Sequence, residues 1–471
     1  MRDKIKQAIK WIFFGRQVQF AISMIFQVLI MRLLSPEIYG IYALAVSALG
    51  IVAMFVSFGI AHSIIQFQKV EKIERNVLGA ALLQALVYVV LTIPGCFIAG
   101  KVYGFEVARV YLLLIFAHAI TFVSLVFQFS IERELDFRKT EIVLSVAKLV
   151  SVLVILGLAL AGWGVYSLVA GFYVKVLLEV GLFFKYCRWT YGVGWNREVI
   201  RTVVVYASKR FLARGCGAMM GYLDKLILGL LVPVAYVGGY ERGLFIISSA
   251  LGLVGQIDAR FTFSLINRIK DDTRKLVSLI NKGTFLNFAL AAAFALASVF
   301  YLQDLVILIL GVQWEETSRV IPYFSIYLIA IIPASFIRQI FYAEKDPLHI
   351  VWGRLLEIAI FLLISLGIYK SVPSGDYSTP IYLMAANLGF STLIGVSYLV
   401  LILLRLKQLQ VGAFGKPVLL AGFSGLLGWS LTLIPGLPVL VRMTLVGVMY
   451  VGLLWKFCLP EFVWFKRFWQ G

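Results

Sequence analysis

Long apolar runs repeat along the whole sequence, each of 18 residues or more and separated from the next by a short polar connection. A run of that length, wound as a helix, crosses the hydrocarbon core of a bilayer. The pattern therefore predicts an all-α polytopic membrane protein with about fourteen transmembrane helices. The predicted spans are residues 11–34, 39–62, 76–100, 110–130, 142–161, 165–184, 202–231, 236–262, 283–302, 318–342, 350–369, 381–404, 417–434 and 438–456.

The corner between the first two spans recurs between spans 7 and 8. Residues 33–42 read Leu-Leu-Ser-Pro-Glu-Ile-Tyr-Gly-Ile-Tyr, and residues 230–240 read Leu-Leu-Val-Pro-Val-Ala-Tyr-Val-Gly-Gly-Tyr. A Ser-Ala-Leu-Gly-(Ile/Leu)-Val string follows each corner, at 47–52 and at 249–254. The ordered pair indicates an internal duplication, and the alternative is two similar helix-turn-helix corners. Duplicated membrane chains are typical of transporters, whose substrate site lies between the repeats.

The duplication also predicts the domain organisation. An N-terminal lobe (1–195) holds spans 1–6, a C-terminal lobe (196–404) holds spans 7–12, and residues 405–471 form two extra helices and a short cytoplasmic tail. Six spans per lobe is an even number, so both lobes enter the membrane in the same sense. The lobes are therefore predicted to be related by a pseudo-twofold axis along the membrane normal.

Positive charge collects on one side of the predicted membrane. The N-terminus and the connections on its side hold 26 lysines and arginines, counting Lys456 at the edge of the last span, whereas the opposite connections hold Lys101, Arg109 and Lys370. Positive residues stay on the cytoplasmic side, so a multi-pass protein of the cell (inner or plasma) membrane with both termini cytoplasmic is predicted.

Composition excludes several other classes of partner and cofactor. The net charge is +19, but nucleic-acid binding requires a basic face on a soluble module, and only 14% of these residues are charged. The four cysteines and three histidines are dispersed along the chain. We therefore predict no nucleic acid, no metal site, no disulfide framework and no cofactor.

Charged residues within the spans are unbalanced, with fourteen basic residues against five acidic ones. Lys175 with Glu179 and Arg354 with Glu357 are spaced to pair on their own helices. The remaining positive excess predicts a cavity that accepts an anion, and phosphate is the natural partner of arginine. Glutamine, serine and tyrosine beside the arginines would suit the hydroxyls of a sugar.

Span 7 carries the most pronounced cationic face. Arg210, Arg214, Gly217, Gly221 and Lys225 fall on one stripe, because successive members are three or four residues apart. The stripe covers about 22 Å along the helix. An arginine at the bilayer centre costs about 2.5 kcal/mol, so these side chains are predicted to face water or a ligand.

Two other spans carry polar stripes that are predicted to line the same cavity. Their alternative interpretation is polar packing between helices. Span 1 contributes Arg16, Gln19, Ser23 and Gln27, and span 8 contributes Arg242, Ser249, Gln256 and Arg260. The residues predicted to bind substrate are Arg210, Arg214, Lys225, Arg16, Arg242, Arg260, Gln19 and Ser23. The acids within the membrane predicted to couple transport to a gradient are Asp224, Glu357 and Glu179.

Four strings resemble motifs of the polysaccharide transporter (oligosaccharide flippase) branch of the multidrug/oligosaccharidyl-lipid/polysaccharide exporter superfamily. They are Arg32–Tyr42 after the first span, Gly221–Gly229 in span 7, Asp271–Asp272 after span 8 and Leu310–Trp314 before span 10. The likeness runs over nearly the whole chain. One departure is Val232-Pro233-Val234, which stands where a glycine-rich turn is usual.

The resemblance implies two six-helix lobes plus two further helices, a cationic central cavity and alternating access. It implies a polyprenyl-diphosphate-linked oligosaccharide as substrate, moved from the cytoplasmic to the outer leaflet of the lipid bilayer. A polysaccharide polymerase and other assembly proteins of surface polysaccharides, such as lipopolysaccharide, are further implied partners.

Three competing functions remain at this stage. A drug or cation exporter of the same superfamily predicts acidic residues in the first spans, whereas spans 1–5 hold none. A polyprenyl-dependent glycosyltransferase or polymerase predicts catalytic residues in a sizeable outer loop, whereas the longest candidates are about ten to fifteen residues. A membrane scaffold leaves the cationic stripe without a role. The sequence therefore favours a transporter over an enzyme.

Overall fold

The structure is a computed structural model that describes residues 2–56, 59–66, 73–187, 192–249, 266, 272–343, 348–373, 375–410, 412, 415–417, 419–420, 422, 424 and 445–453. Within these ranges, the side chains of residues 2–6, 8–9, 206–214 and 343 lie outside the description. The chain divides into two compact units, Met1–Gly238 and Gly239–Gly471.

The described part of the first unit contains seven long helices in chain order. They are α1 (Arg2–Leu33), α2 (Pro36–Val56), α3 (Ile73–Tyr103), α4 (Phe105–Arg133), α5 (Phe137–Leu160), α6 (Val165–Tyr186) and α7 (Arg197–Leu228). A 3-10 turn at Ile60–His62 and a short helix at Ser63–Gln66 follow α2. Helix α8 (residues 234–249) begins in this unit and continues into the second.

Among its described residues, the second unit continues with four long helices and a series of short ones. The long helices are α9 (Thr273–Phe300), α10 (Ser325–Ala343), α11 (Leu348–Ser371) and α12 (Ser378–Arg405). The short ones are Leu302–Leu310, Val312–Trp314, Glu315–Val320 and Ile321–Phe324. The connection between predicted spans 9 and 10 is partly helical, because apolar residues every three to four positions let Leu302–Leu310 wind as a helix.

The predicted all-α membrane fold is confirmed. Every described regular element is helical, and α1 to α12 overlap the first twelve predicted spans, of which span 8 is described only to residue 249. Ten helices of the described chain are long and apolar enough to cross a membrane. The last two predicted spans fall largely outside the described residues. Residues 445–453 of the last span are described, and they are helical.

Each unit has an apolar interior. In the first unit, Val77, Val126 and Phe183 belong to one buried cluster on α3, α4 and α6. In the second, Ile337 and Leu399 belong to a buried cluster that joins α9, α10 and α12. Burial of such side chains contributes about 1.5–3 kcal/mol each. Large apolar side chains on the outer surface, such as those along α3 and α11, suit contact with lipid.

Connections between helices are short and specific. Helix α3 passes into α4 through Gly104 alone, which adopts a φ of 98° that favours glycine. Before α7, the Gly194 amide donates to the Arg75 carbonyl at 2.8 Å, and Asn196 caps α7 by accepting from the amides of Glu198 and Val199. The segment that enters α7 is therefore held against the start of α3.

Candidate functional site

The cationic stripe of span 7 lies on an uninterrupted helix. Helix α7 runs from Arg197 to Leu228, so the spacing of Arg210, Arg214, Gly221 and Lys225 places their Cα atoms along one face. The side chains of Arg210 and Arg214 are outside the description. Gly221 opens this face, because among the described residues a β-carbon there would meet no atom of another element within 4 Å.

The C-terminal end of the stripe is a buried ion pair. The Lys225 ammonium donates to the Gly221 carbonyl at 2.7 Å and lies 3.3 Å from Oδ1 of Asp224, which also accepts the Lys225 backbone amide at 2.8 Å. Asp224 is fully buried and Lys225 is 9% exposed. Lys225 is thus bound by its own helix, and the roles predicted for both residues stay predictions.

The polar stripe of span 1 contacts a carboxylate that the sequence analysis missed. Gln19 donates to Oε2 of Glu141 at 2.9 Å, and a β-carbon on Gly15 would overlap Glu141, so α1 and α5 pack closely. Arg16 is exposed and Ser23 is half-buried. Glu141 escaped notice because the predicted span 5 began one residue after it. The signal available in the sequence was the position of Glu141 directly before the apolar run of span 5.

The polar stripe of span 8 is described only in its first half. The Arg242 guanidinium donates to Oε1 of Glu241 at 2.6 Å and lies 4.7 Å from the centre of the Phe245 ring. Ser249 donates to the Phe245 carbonyl at 2.8 Å. Arg260 lies outside the described residues. Arg242 is therefore engaged by a neighbouring carboxylate and an aromatic ring.

The two predicted intrahelical pairs both form. On α6, the Lys175 ammonium lies 3.6 Å from Oε1 of Glu179, a buried carboxylate oxygen that has no hydrogen-bond partner. On α11, Arg354 donates to Oε2 of Glu357 at 2.7 Å. Glu357 also accepts from the Thr392 hydroxyl at 2.8 Å and lies 3.8 Å from the Arg338 guanidinium. Spans 10–12 are thus joined at Glu357, which contacts arginines of spans 10 and 11 and a threonine hydroxyl of span 12.

The described residues contain no group of three or more His, Cys, Asp or Glu side chains that could hold a metal ion. The polar chemistry of each unit is that of guanidinium, ammonium, amide and isolated carboxylate groups. Such groups can bind and release an anionic or hydroxyl-rich solute.

Solved structures share the fold. The structure described as lipid II flippase MurJ, inward closed conformation, is 14% identical, with a TM-score of 0.73 over 96% of this chain and 98% of that chain. An inward-facing multidrug resistance MATE family transporter of the MOP superfamily is 13% identical, with a TM-score of 0.58 over 83% of this chain and 99% of the other. A MOP superfamily transporter from Pyrococcus furiosus is 13% identical, with a TM-score of 0.52 over 85% and 96%. No curated protein matches the chain.

The chain shares its fold with transporters of the MOP superfamily, and ten described helices of membrane-spanning length and composition make it a multi-pass membrane protein. The model of the family "Polysaccharide biosynthesis protein" matches residues 29–319, more than half of the chain, and the chain belongs to that family. The resemblance stated from the sequence is thereby confirmed at the level of the family and the fold.

Proposed function

We propose that this protein is a flippase that moves a polyprenyl-diphosphate-linked oligosaccharide from the cytoplasmic to the outer leaflet by alternating access, for surface polysaccharide biosynthesis. The cationic helix α7 carries the proposal. An uninterrupted helix with arginines in register beside an open glycine position suits an anionic head group that enters and leaves. Membership of the polysaccharide biosynthesis family and the fold shared with a lipid II flippase support it.

In this function, Arg210 and Arg214 bind the diphosphate. Arginine's planar fork pairs with two phosphate oxygens at once, which holds the head group while leaving it exchangeable. Lys225, Arg16, Arg242 and Arg260 add positive charge, and Gln19 and Ser23 offer hydrogen bonds to sugar hydroxyls. The termini are cytoplasmic and the membrane is the cell membrane, as the distribution of basic residues favours.

Coupling to a gradient is assigned to Asp224, Glu179 and Glu357. Glu179 is the sharpest candidate, because its buried Oε1 accepts no hydrogen bond from the described residues and lies 3.6 Å from the Lys175 ammonium, an ion pair that a proton or a cation on Glu179 would replace. The matching test replaces Glu179 with Gln and measures transport with and without an imposed gradient. Loss of the gradient dependence supports the assignment, and unchanged dependence excludes Glu179.

The experiment for the function itself is delivery of a lipid-linked oligosaccharide to the outer leaflet of reconstituted vesicles, normalised to inserted protein. Arg210→Ala combined with Arg214→Ala is expected to reduce delivery, while insertion is retained because removing a cavity charge relieves a burial cost. Full activity of the double variant refutes the phosphate role. Export of cationic drugs without movement of the lipid-linked sugar would instead identify an exporter like the multidrug relatives that share the fold.

A further inference from the structure

Helices α10, α11 and α12 bring together a buried charge cluster in the second unit. Arg338 comes from α10, Arg354 and Glu357 from α11, and Thr392 from α12. One oxygen of Glu357 accepts from Arg354 at 2.7 Å, and the other accepts from the Thr392 hydroxyl at 2.8 Å. The second guanidinium, that of Arg338, lies 3.8 Å from the carboxylate, which is beyond hydrogen-bond distance.

This cluster holds an excess of positive charge. In the described part of the chain, the Glu357 carboxylate lies 2.7 Å from the Arg354 guanidinium and 3.8 Å from that of Arg338. One carboxylate therefore faces two guanidinium ions. Burial of an uncompensated charge is unfavourable, and an anion that entered the cluster would offset it.

The two arginines of the cluster differ in whether their N–H donors form hydrogen bonds. Within the described part of the chain, the Arg338 side chain makes no hydrogen bond, although a guanidinium has five N–H donors. The side chains of Arg338 and Arg354 are 11% and 15% exposed, whereas that of Glu357 is 2% exposed. The guanidinium groups, rather than the carboxylate, therefore retain contact with the surroundings.

We propose that Arg338 and Arg354 form a phosphate-binding subsite, separate from α7, and that Glu357 acts as its internal competitor. Two planar forks beside each other match the several oxygens of a phosphate or diphosphate group. In the absence of that group, Glu357 holds Arg354 through a direct hydrogen bond and Thr392 fixes the carboxylate. The ligand displaces Glu357 from Arg354 and gains both guanidinium groups.

Inorganic pyrophosphate is the probe, measured by equilibrium binding to the full-length protein in phosphatidylcholine nanodiscs. The protein carries Arg210→Ala and Arg214→Ala, so that the other cationic candidate is removed. Adding Glu357→Gln is expected to tighten pyrophosphate binding about tenfold, because a competing charged hydrogen bond is lost. Adding Arg338→Gln is expected to weaken it by about the same factor.

The matched control is Glu106→Gln. Glu106 pairs with Arg109 at the same i,i+3 spacing and also accepts a hydroxyl hydrogen bond, from Tyr166 at 3.2 Å, but it is exposed at the start of α4. Pyrophosphate affinity is expected to stay unchanged in this variant. A tighter affinity in Glu357→Gln supports the proposal, because misfolding cannot produce it. An unchanged affinity in Glu357→Gln overturns the proposal, even if Arg338→Gln binds pyrophosphate more weakly.

Two phosphate sources are separated by repeating the Glu357→Gln titration in nanodiscs with an equimolar share of phosphatidylglycerol. A tenfold loss of pyrophosphate affinity there assigns the subsite to lipid head groups, and an unchanged affinity assigns it to a phosphate of the transported molecule. This inference stands apart from the proposed function. A Glu357→Gln gain in pyrophosphate affinity, with no delivery of the lipid-linked oligosaccharide by the wild-type protein, leaves the subsite and refutes the flippase, and wild-type delivery without that gain does the reverse.

Discussion

Gly40 on α2 is packed directly against the backbone of Val234 on α8. A β-carbon at Gly40 would overlap the Val234 carbonyl oxygen, and a β-carbon at Gly238 would overlap the Pro36 carbonyl oxygen. The two contacts are reciprocal, since a shift of 198 takes Pro36 to Val234 and Gly40 to Gly238, one residue more than the shift of 197 that relates Pro36 to Pro233 in the repeated corners. The repeated corners found in the sequence therefore meet within the first unit, in the manner of a local twofold pair.

Gly40→Ala is expected to destabilise the folded protein by about 1–3 kcal/mol or more, because the added methyl group meets backbone that must move. Gly238→Ala is expected to act in the same direction. Thermal unfolding of the detergent-solubilised protein, followed by size-exclusion chromatography, measures the effect. The control is Gly157→Ala, since a β-carbon at Gly157 has no atom within 4 Å. Equal stability of Gly40→Ala and the wild type would contradict the close contact.

Much of this fold could be predicted from the pattern of apolar residues in the sequence. A bilayer-length run forms a helix wherever it stands, because its backbone polar groups must bond internally in lipid, and so twelve spans could be placed. Residues 303–317 lie outside the predicted spans because polar Asp304, Gln313, Glu315 and Glu316 interrupt the apolar pattern, although short helices form across them. Hydrophobicity alone does not identify helices that are too short to cross the membrane.

Asp224→Asn is expected to destabilise the protein by about 3 kcal/mol, because Asp224 is fully buried and its charge faces the buried Lys225 ammonium. Asparagine still accepts the Lys225 amide but leaves that ammonium without its counter-charge. The paired variant Asp224→Asn with Lys225→Met is expected to recover part of the loss, since both charges are then removed. The same unfolding assay applies. A single variant as stable as the wild type would show that the pair contributes little.

Acid is expected to loosen the first turn of α9. The Lys275 amide donates to Asp272 at 3.1 Å and its ammonium lies 3.0 Å from the same carboxylate, which lowers the pKa of Asp272 below its ordinary 3.8. A depressed folded-state pKa gives stability that is present above 3.8 and is lost as pH falls through the lower value.

The measurement is hydrogen exchange of the amides at 273–276, corrected for the intrinsic effect of pH. Protection is expected to fall below pH 3.8 in the wild type. In Asp272→Asn it is expected to stay level, because asparagine caps a helix without titrating. Parallel pH profiles of the two proteins would rule out this contribution.

Individual site residues were less predictable than the helices. Sequence spacing correctly paired Lys175 with Glu179 and Arg354 with Glu357, because both pairs lie on one helix. It could not join Arg338 to that second pair, since the crossing of α10 and α11 is a matter of tertiary packing. The roles predicted for Arg210 and Arg214 depend on what their side chains face, which spacing along α7 does not determine.

The geometry of the guanidinium, as distinct from its charge, is tested by Arg210→Lys and Arg214→Lys. If these residues bind a diphosphate through two oxygens each, lysine keeps the attraction but loses the fork. Delivery of the lipid-linked oligosaccharide is then expected to fall between that of the wild type and the double alanine variant, about tenfold below the wild type when both sites are changed.

Arg109→Lys is the control, because Arg109 is exposed at the start of α4 and pairs with Glu106. Its delivery is expected to equal that of the wild type. If the double lysine variant also equals the wild type, a positive charge at these two positions suffices, and bidentate binding of phosphate by α7 is excluded.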